Sequence, residues 1–386
     1  MDKIKIRIDS LAFGGEGIGR VDGKVCFVRD ALPGEVVVFN PRQQRSSYIR
    51  GELHEIVTPS PERTEPLCPY YGDCGGCQLQ HITYEKEVFY KKSQAADLLR
   101  KIGGFAIREF DKIIPSKNFY YYRNSITLHR SGGKTGFYSR NGRDIVDIKQ
   151  CCLADEYINK ALSAGLSGNT KDRVTLKSDF KGKVWVSGNP GERFFTDRIG
   201  GKEMVLSPRV FSQCNRYITD KVAEVLGEWM GEKDADAVFF DVYCGFGLFS
   251  FLVKGDFAAR IGMDNERTAI DCAKSTVRNS SFENMRFYRG TVEKDFCGLY
   301  ERSRGRSNVI FLDPPRAGIK KQFVEWLSTV EGAGTLYYLS CDPARMARDL
   351  KSIVSKGRWT LGRTAVFDMF PRTRHIETMV ELVCKA

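Results

Sequence analysis

Two hydrophobic rhythms run along this chain. In residues 4–8 isoleucine alternates with charged residues, the period of a half-buried strand. Similar short β-branched stretches recur at 25–28 and 36–40. Gly14-Gly15-Glu16-Gly17, Asp22-Gly23 and Pro33-Gly34 separate them as turns, and Asp22-Gly23 fits a two-residue hairpin. This pattern predicts an all-β barrel of the oligonucleotide-binding type over 1–59. After Pro59-Ser60-Pro61, a linker, residues from Tyr84 to about Phe105 read as an amphipathic helix ending at Gly103-Gly104. Phe119 to about Met204 reads as mainly β. From Val238 the rhythm changes to apolar runs that end in glycine, aspartate or proline, the pattern of βαβ units. The expected fold is multidomain α/β. It comprises the barrel (1–59), a central mainly-β domain with a cysteine loop (60–205) and a Rossmann-like domain (206–386).

Composition narrows the partners. The chain has 386 residues, 42% hydrophobic and 28% charged, ordinary for a globular protein. No apolar run approaches the ~18 residues of a membrane span. The start lacks the apolar core of a secretory signal, so a cytoplasmic protein with no membrane partner is expected, and a monomer. Its formal net charge of +12 favours polyanions, nucleic acid first among them. Twelve cysteines are too sparse for a disulfide scaffold, and in a reducing compartment their clustering points to metal or catalysis.

Three stretches carry candidate chemistry. Cys68, Cys74 and Cys77 share one loop with Gly72, Gly75 and Gly76, and Cys151-Cys152 lies downstream. Converging thiolates suit zinc or an iron–sulfur cluster. Val238–Val242 followed by Tyr243-Cys244-Gly245-Phe246-Gly247 reads as a strand and glycine turn. The next strand ends at Asp264, where nucleoside sites place a ribose-binding carboxylate, so S-adenosylmethionine is the expected cofactor. Tyr337-Tyr338-Leu339-Ser340-Cys341-Asp342-Pro343 sets a thiol at the carboxyl edge of a strand, where open α/β sheets hold ligands.

Residues 11–20, with Asp22-Gly23-Lys24 and Leu32-Pro33-Gly34-Glu35, resemble a TRAM domain, an RNA-binding barrel. The cysteine loop resembles the 4Fe–4S site of TRAM-containing RNA uridine methyltransferases. Further matches are Ser207 to Asn215, Asp313-Pro314-Pro315-Arg316-Ala317-Gly318, Ser340 to Pro343 and Asp368 to Thr378. Together they resemble the class I RNA (uracil-5-)-methyltransferases over nearly the whole chain. The resemblance implies methylation of uridine C5, in 23S rRNA or alternatively in the T-loop of tRNA. It implies Cys341 as nucleophile and Glu377 as base. Gln213, Tyr243, Gly245 and Asp264 would contact the cofactor, and Asp313, grouped with them, would face the uracil ring. Phe211 would stack on a base, and Arg123 would lie near the RNA. Cys68, Cys74, Cys77 and Cys151 would be cluster ligands. Family members have proline where Cys152 stands, so Cys152 is an alternative fourth ligand. The remaining cysteines read as packing residues.

The chemistry agrees with the residue types. C5 of uracil is a poor nucleophile until a thiolate adds at C6, and a base must later remove the C5 proton. A non-catalytic RNA-binding factor on the same fold is the rival reading, and it predicts loss of Cys341 or Glu377. Cytosine methylation would place a cysteine after the Pro-Pro strand, where Arg316-Ala317-Gly318 stands. Radical thiotransferases, which also carry TRAM and a cluster, space their cysteines differently.

Overall fold

A computed structural model describes residues 2–166, 172–187, 193–232, 236–304 and 308–385. They group into two compact units. The first gathers Met1–Gln94, Ser131–Ile148 and Phe370–His375, and the second gathers Ala95–Arg130, Lys149–Met369 and Ile376–Ala386. Both are therefore built from segments distant along the chain.

In the first unit, strands Ile4–Leu11, Glu16–Val21, Lys24–Arg29, Val36–Gln44 and Tyr48–Thr58 close into a barrel. Alternation puts Ile6, Ile8, Val37 and Phe39 inside, with Cys26, Val28 and Ile49. The Asp22-Gly23 hairpin has φ of 47° and 75°, the double positive φ that a type I′ turn requires. Glu35 is fully buried and accepts from the Leu32 and Ser60 amides and from the Arg63 side chain. Burial pushes its carboxyl up, but Arg63 and those amides outweigh it and hold the group below its ordinary range.

Helix Tyr84–Lys101 stops short of the expected end, and Gly104 follows with φ of 77°. Within the first unit its Glu87 and Lys91 form a buried pair at 2.6 Å. Glu87 also accepts the Arg372 amide at 2.7 Å, and Lys91 donates to the Phe370 carbonyl at 3.1 Å. Those bonds give each buried charge a partner, without which burial would be costly.

The second unit holds an eight-stranded sheet. Its order is Met285–Arg289, Ala259–Asp264, Val238–Val242, Asn308–Leu312, Ala333–Ser340, Glu377–Cys384, Trp359–Phe367 and Lys112–Ile114. The first five strands run parallel, and Glu377–Cys384 inserts antiparallel beside Ala333–Ser340. Val238–Val242 and Asn308–Leu312 are buried at every position, as the continuous apolar runs require. Chain order reverses direction across these two strands, which places the switch point of the sheet at their carboxyl ends.

The stretch expected as mainly β contains strands Ser125–Ser131, Arg173–Ser178 and Val184–Val186, and the hairpin Phe195–Ile199/Lys202–Leu206. It also contains a helix, Glu156–Ser163. Asp155 caps that helix by accepting from the Ile158 amide, and Ile158 and Leu162 bury one face.

Candidate active site

Three loops meet at the switch point. The first leaves Val242 with Tyr243 at φ of 64° and Gly245 at 55°. A side chain on Gly245 would meet nothing within 4 Å, so its backbone borders open space. Gly247 differs, because a Cβ there would lie 2.6 Å from the Phe287 ring. The Gly245 amide donates to Asp264 Oδ2 at 2.9 Å, joining two of the expected cofactor residues. Asp264 Oδ1 accepts the Glu266 amide at 2.9 Å. The Tyr243 hydroxyl reaches Glu293 Oε1 at 3.4 Å, a residue absent from the sequence reading.

The second loop follows Leu312. The Asp313 amide donates to the Val242 carbonyl at 3.3 Å, tying this loop to the first. Its far end is pinned by helix Pro343–Val354: Arg345 donates to the Ala317 carbonyl, and Asp349 accepts the Ile319 amide. Gln213 donates from Nε2 to Asp313 Oδ2 at 3.4 Å. Burial comes first among the causes that raise Asp313, and the Asp241 and Asp264 carboxylates add to it, against Gln213, giving about 7. Asp241 itself is buried and pushed up to about 6, although the Ser250 amide and hydroxyl oppose the shift.

The third loop is Cys341. Strand Ala333–Ser340 ends one residue before it, and Asp342 caps the following helix by accepting the Arg345 amide at 3.0 Å. Pro343 takes the first helical turn, where its missing N–H costs nothing. Ser340 pairs with Thr378 across the antiparallel strand, so Glu377 arrives beside Cys341. Glu377 is only 3% exposed, and its Oε2 has no hydrogen-bond partner. Burial and then Asp313 hold its carboxyl well above the usual range, with Arg316 opposing. Burial and then Glu377 push the Cys341 thiol up to about 12, while the Arg316 charge and hydrogen bond pull it down.

These are a nucleophile candidate, a base candidate and a carboxylate cluster at the edge where such sheets bind nucleosides. Residues 196–385 match the family described as tRNA (uracil-5-)-methyltransferase, and residues 2–40 match the TRAM domain. The carboxyl-terminal half of the chain is thus a member of this family, joined to an amino-terminal TRAM domain.

Related proteins agree. A Clostridium tetani protein described as an uncharacterized RNA methyltransferase is 29% identical, over 97% of this chain and 94% of its own length. One from Bdellovibrio bacteriovorus, described in the same words, is 29% identical over 98% and 95%. The solved Pyrococcus abyssi tRNA (uracil-54, C5)-methyltransferase, in complex with S-adenosyl-L-homocysteine, superposes with a TM-score of 0.76. It covers 98% of this chain and 100% of its own, at 22% identity, and so shares the fold. The protein is a TRAM-bearing RNA methyltransferase.

In this methyltransferase Arg123 sits in a backbone junction. Its amide donates to the Leu153 carbonyl, its carbonyl accepts the Asp155 amide, and its Nε donates to the Tyr122 hydroxyl at 3.2 Å. Cys214, read from sequence as packing, lies within electrostatic reach of both Arg123 and Glu377; burial raises its thiol, Arg123 lowers it and Glu377 raises it. Arg316 was read from sequence only as part of a motif, yet it is the cation facing both Cys341 and Glu377. Its signal was available, since an arginine follows the Pro-Pro pair. Phe211 stands 72% exposed.

Cys68, Cys74 and Cys77 lie in the first unit. Their loop is anchored by the Gly75 amide on the Tyr138 carbonyl at 2.9 Å and the Arg140 amide on the Asp73 carbonyl at 2.9 Å. The Gly76 amide points at Cys74 Sγ at 3.4 Å. The Tyr71 hydroxyl bonds Asp30, Gln78 and His81, and Arg140 pairs with Asp30. Burial holds His81 down to about 4, so it is a neutral partner in this network. Cys151, in the second unit, has its amide and carbonyl both bonded by Asn159, whereas Cys152 is buried. Among the described residues no group of three or more His, Cys, Asp or Glu is disposed to hold a metal ion. Three thiols on a glycine-rich loop, one receiving an amide N–H, are a donor set chemically suited to iron–sulfur ligation.

Proposed function

We propose that the protein methylates C5 of a uridine in 23S rRNA, in the cytoplasm, through a transient bond between Cys341 and C6. The observation that carries this reading is the register that sets Glu377 beside Cys341 at the switch point. S-adenosylmethionine supplies a methyl made electrophilic by a positive sulfur. Asp264 and Asp313 bring carboxyl groups to the crevice, with Asp241 buried within electrostatic reach of Asp313. Tyr243, Gly245 and Asp264 border the space where a nucleoside would lie, and Gln213 orients Asp313 toward the uracil ring.

Cys341 loses its proton to solvent and adds to C6 as the thiolate, which pushes the π pair of the C5=C6 double bond onto C5 and O4. C5 would then take the methyl, the bond from that methyl to the cofactor's sulfur breaking with its electron pair on sulfur, so that neutral S-adenosylhomocysteine leaves. Glu377, held in the adduct's reach by the strand pairing, accepts the C5 proton, and the C6–S bond breaks to restore the ring and the thiolate. Arg316 stabilises negative charge on the sulfur as it leaves. The uridine must be unstacked to reach Cys341, which RNA loops permit at a cost of a few kcal/mol.

Labelled methyl from S-adenosylmethionine should enter total RNA that lacks the modification, at one or more uridines of 23S rRNA. Label in tRNA instead would establish the second reading, which the match of residues 196–385 to the tRNA (uracil-5-)-methyltransferase family favours. Label at no uridine C5 would overturn both.

Cys68, Cys74 and Cys77 would supply three thiolates to a structural 4Fe–4S cluster. The thiol donor set and its glycine-rich loop support this. Protein purified without oxygen should contain on the order of four iron and four sulfide per chain. Stoichiometric zinc would replace the assignment.

A further inference from the structure

Phe211 is the most exposed large hydrophobic residue described, yet its neighbours are buried, Val210 at 4% and Ser212 at 9%. A tight turn leads in, with the Val210 amide on the Ser207 carbonyl at 3.1 Å. Beneath it lies Lys177 of strand Arg173–Ser178, only 4% exposed. Its ammonium donates to the Val210 carbonyl and, at 2.9 Å, to Ser212 Oγ. One buried lysine thus grips the residue before Phe211 and the residue after it. Burying an ammonium is unfavourable, and an apolar side chain would fill the same volume at less cost. Burial does depress Lys177, to about 8, against the opposing pull of Cys272 and Asp197. The residue after Ser212 is Gln213, which bonds Asp313 in the crevice.

We infer that Lys177 is a positioning residue for substrate RNA, pinning both neighbours of Phe211 so that its ring projects as a rigid platform for a nucleobase. This rests on reading Phe211 as a base-stacking residue of an RNA methyltransferase. A ring on an untethered loop would have to be ordered on binding, and that entropy would be subtracted from affinity.

The test is a double-mutant cycle on the full chain, comparing wild type, Lys177→Met, Phe211→Ala and the pair. The readouts are dissociation constants for an unmodified RNA hairpin with a uridine in its loop and for S-adenosylhomocysteine. Lys177→Met should weaken hairpin binding roughly tenfold, the scale of one lost base stack, with S-adenosylhomocysteine binding unchanged. On the Phe211→Ala background it should add no further loss. Equal losses on both backgrounds, no loss at all, a parallel loss of S-adenosylhomocysteine binding, or a wild type that does not bind the hairpin would overturn the inference. Should Lys177→Met fail to fold, Ser212→Ala removes one of the two acceptors and should give a smaller loss, again confined to the Phe211 background. Methylation of the same hairpin is scored separately, so absent C5 transfer with an intact binding cycle counts against the proposed function alone.

Discussion

Cys341→Ala is expected to lose at least about 10⁴-fold in methyl transfer while still binding RNA, because it removes the thiol that adds to C6. The wild-type thiol is not an easily ionised one. Burial and the Glu377 charge push it up to about 12, and Arg316 recovers only part of that. Below that value the thiolate fraction grows about tenfold per pH unit. Alkylation of Cys341 by iodoacetamide should therefore rise steadily with pH and show no plateau near neutrality. The sign of each neighbour follows. Removing the Glu377 charge should shift the alkylation profile to lower pH, and Arg316→Met should shift it higher. Full methyl transfer by Cys341→Ala, with the label on uridine C5, would end the nucleophile assignment.

Glu377→Gln should stall the reaction at a different point. Glutamine cannot accept the C5 proton, so the ring cannot expel the thiolate after the methyl has moved. A covalent complex of protein and methylated RNA should accumulate and survive denaturing electrophoresis, with turnover reduced roughly 10²–10⁴-fold. Release of free methylated RNA at the wild-type rate would assign the base to another group. The buried setting of Glu377, 3% exposed with one oxygen unpartnered, fits a carboxyl kept from water. Burial and Asp313 both raise it, so the acid limb of turnover should lie above that of an ordinary glutamate. Two carboxyls set against each other resist losing both protons, and Asp313→Asn should move that limb to lower pH.

Much of the architecture was legible because it is encoded over short distances. The Asp22-Gly23 turn needs two positive φ values, and those residues tolerate them. The strand before Cys341, its capping Asp342 and the helix-starting Pro343 are likewise adjacent in the chain. Helix Glu156–Ser163 was missed although its cap and its buried Ile158 and Leu162 pair were there to read. It is eight residues long, and the β-rich surroundings dominated the pattern. Cys214 looked like packing because nothing local marks a cysteine as the neighbour of a glutamate 163 positions later in the numbering.

By itself the sequence determined the alternation that closes the barrel, the buried parallel strands, the loop that carries the thiol and the family motifs in order. Only the tertiary structure decided that Glu377 stands beside Cys341, that Arg316 faces both, and that Lys177 lies under Phe211. Local elements follow from the periodicity of neighbouring residues. Proton affinities follow from burial and from charges carried by other strands and loops, which strand pairing and packing bring together.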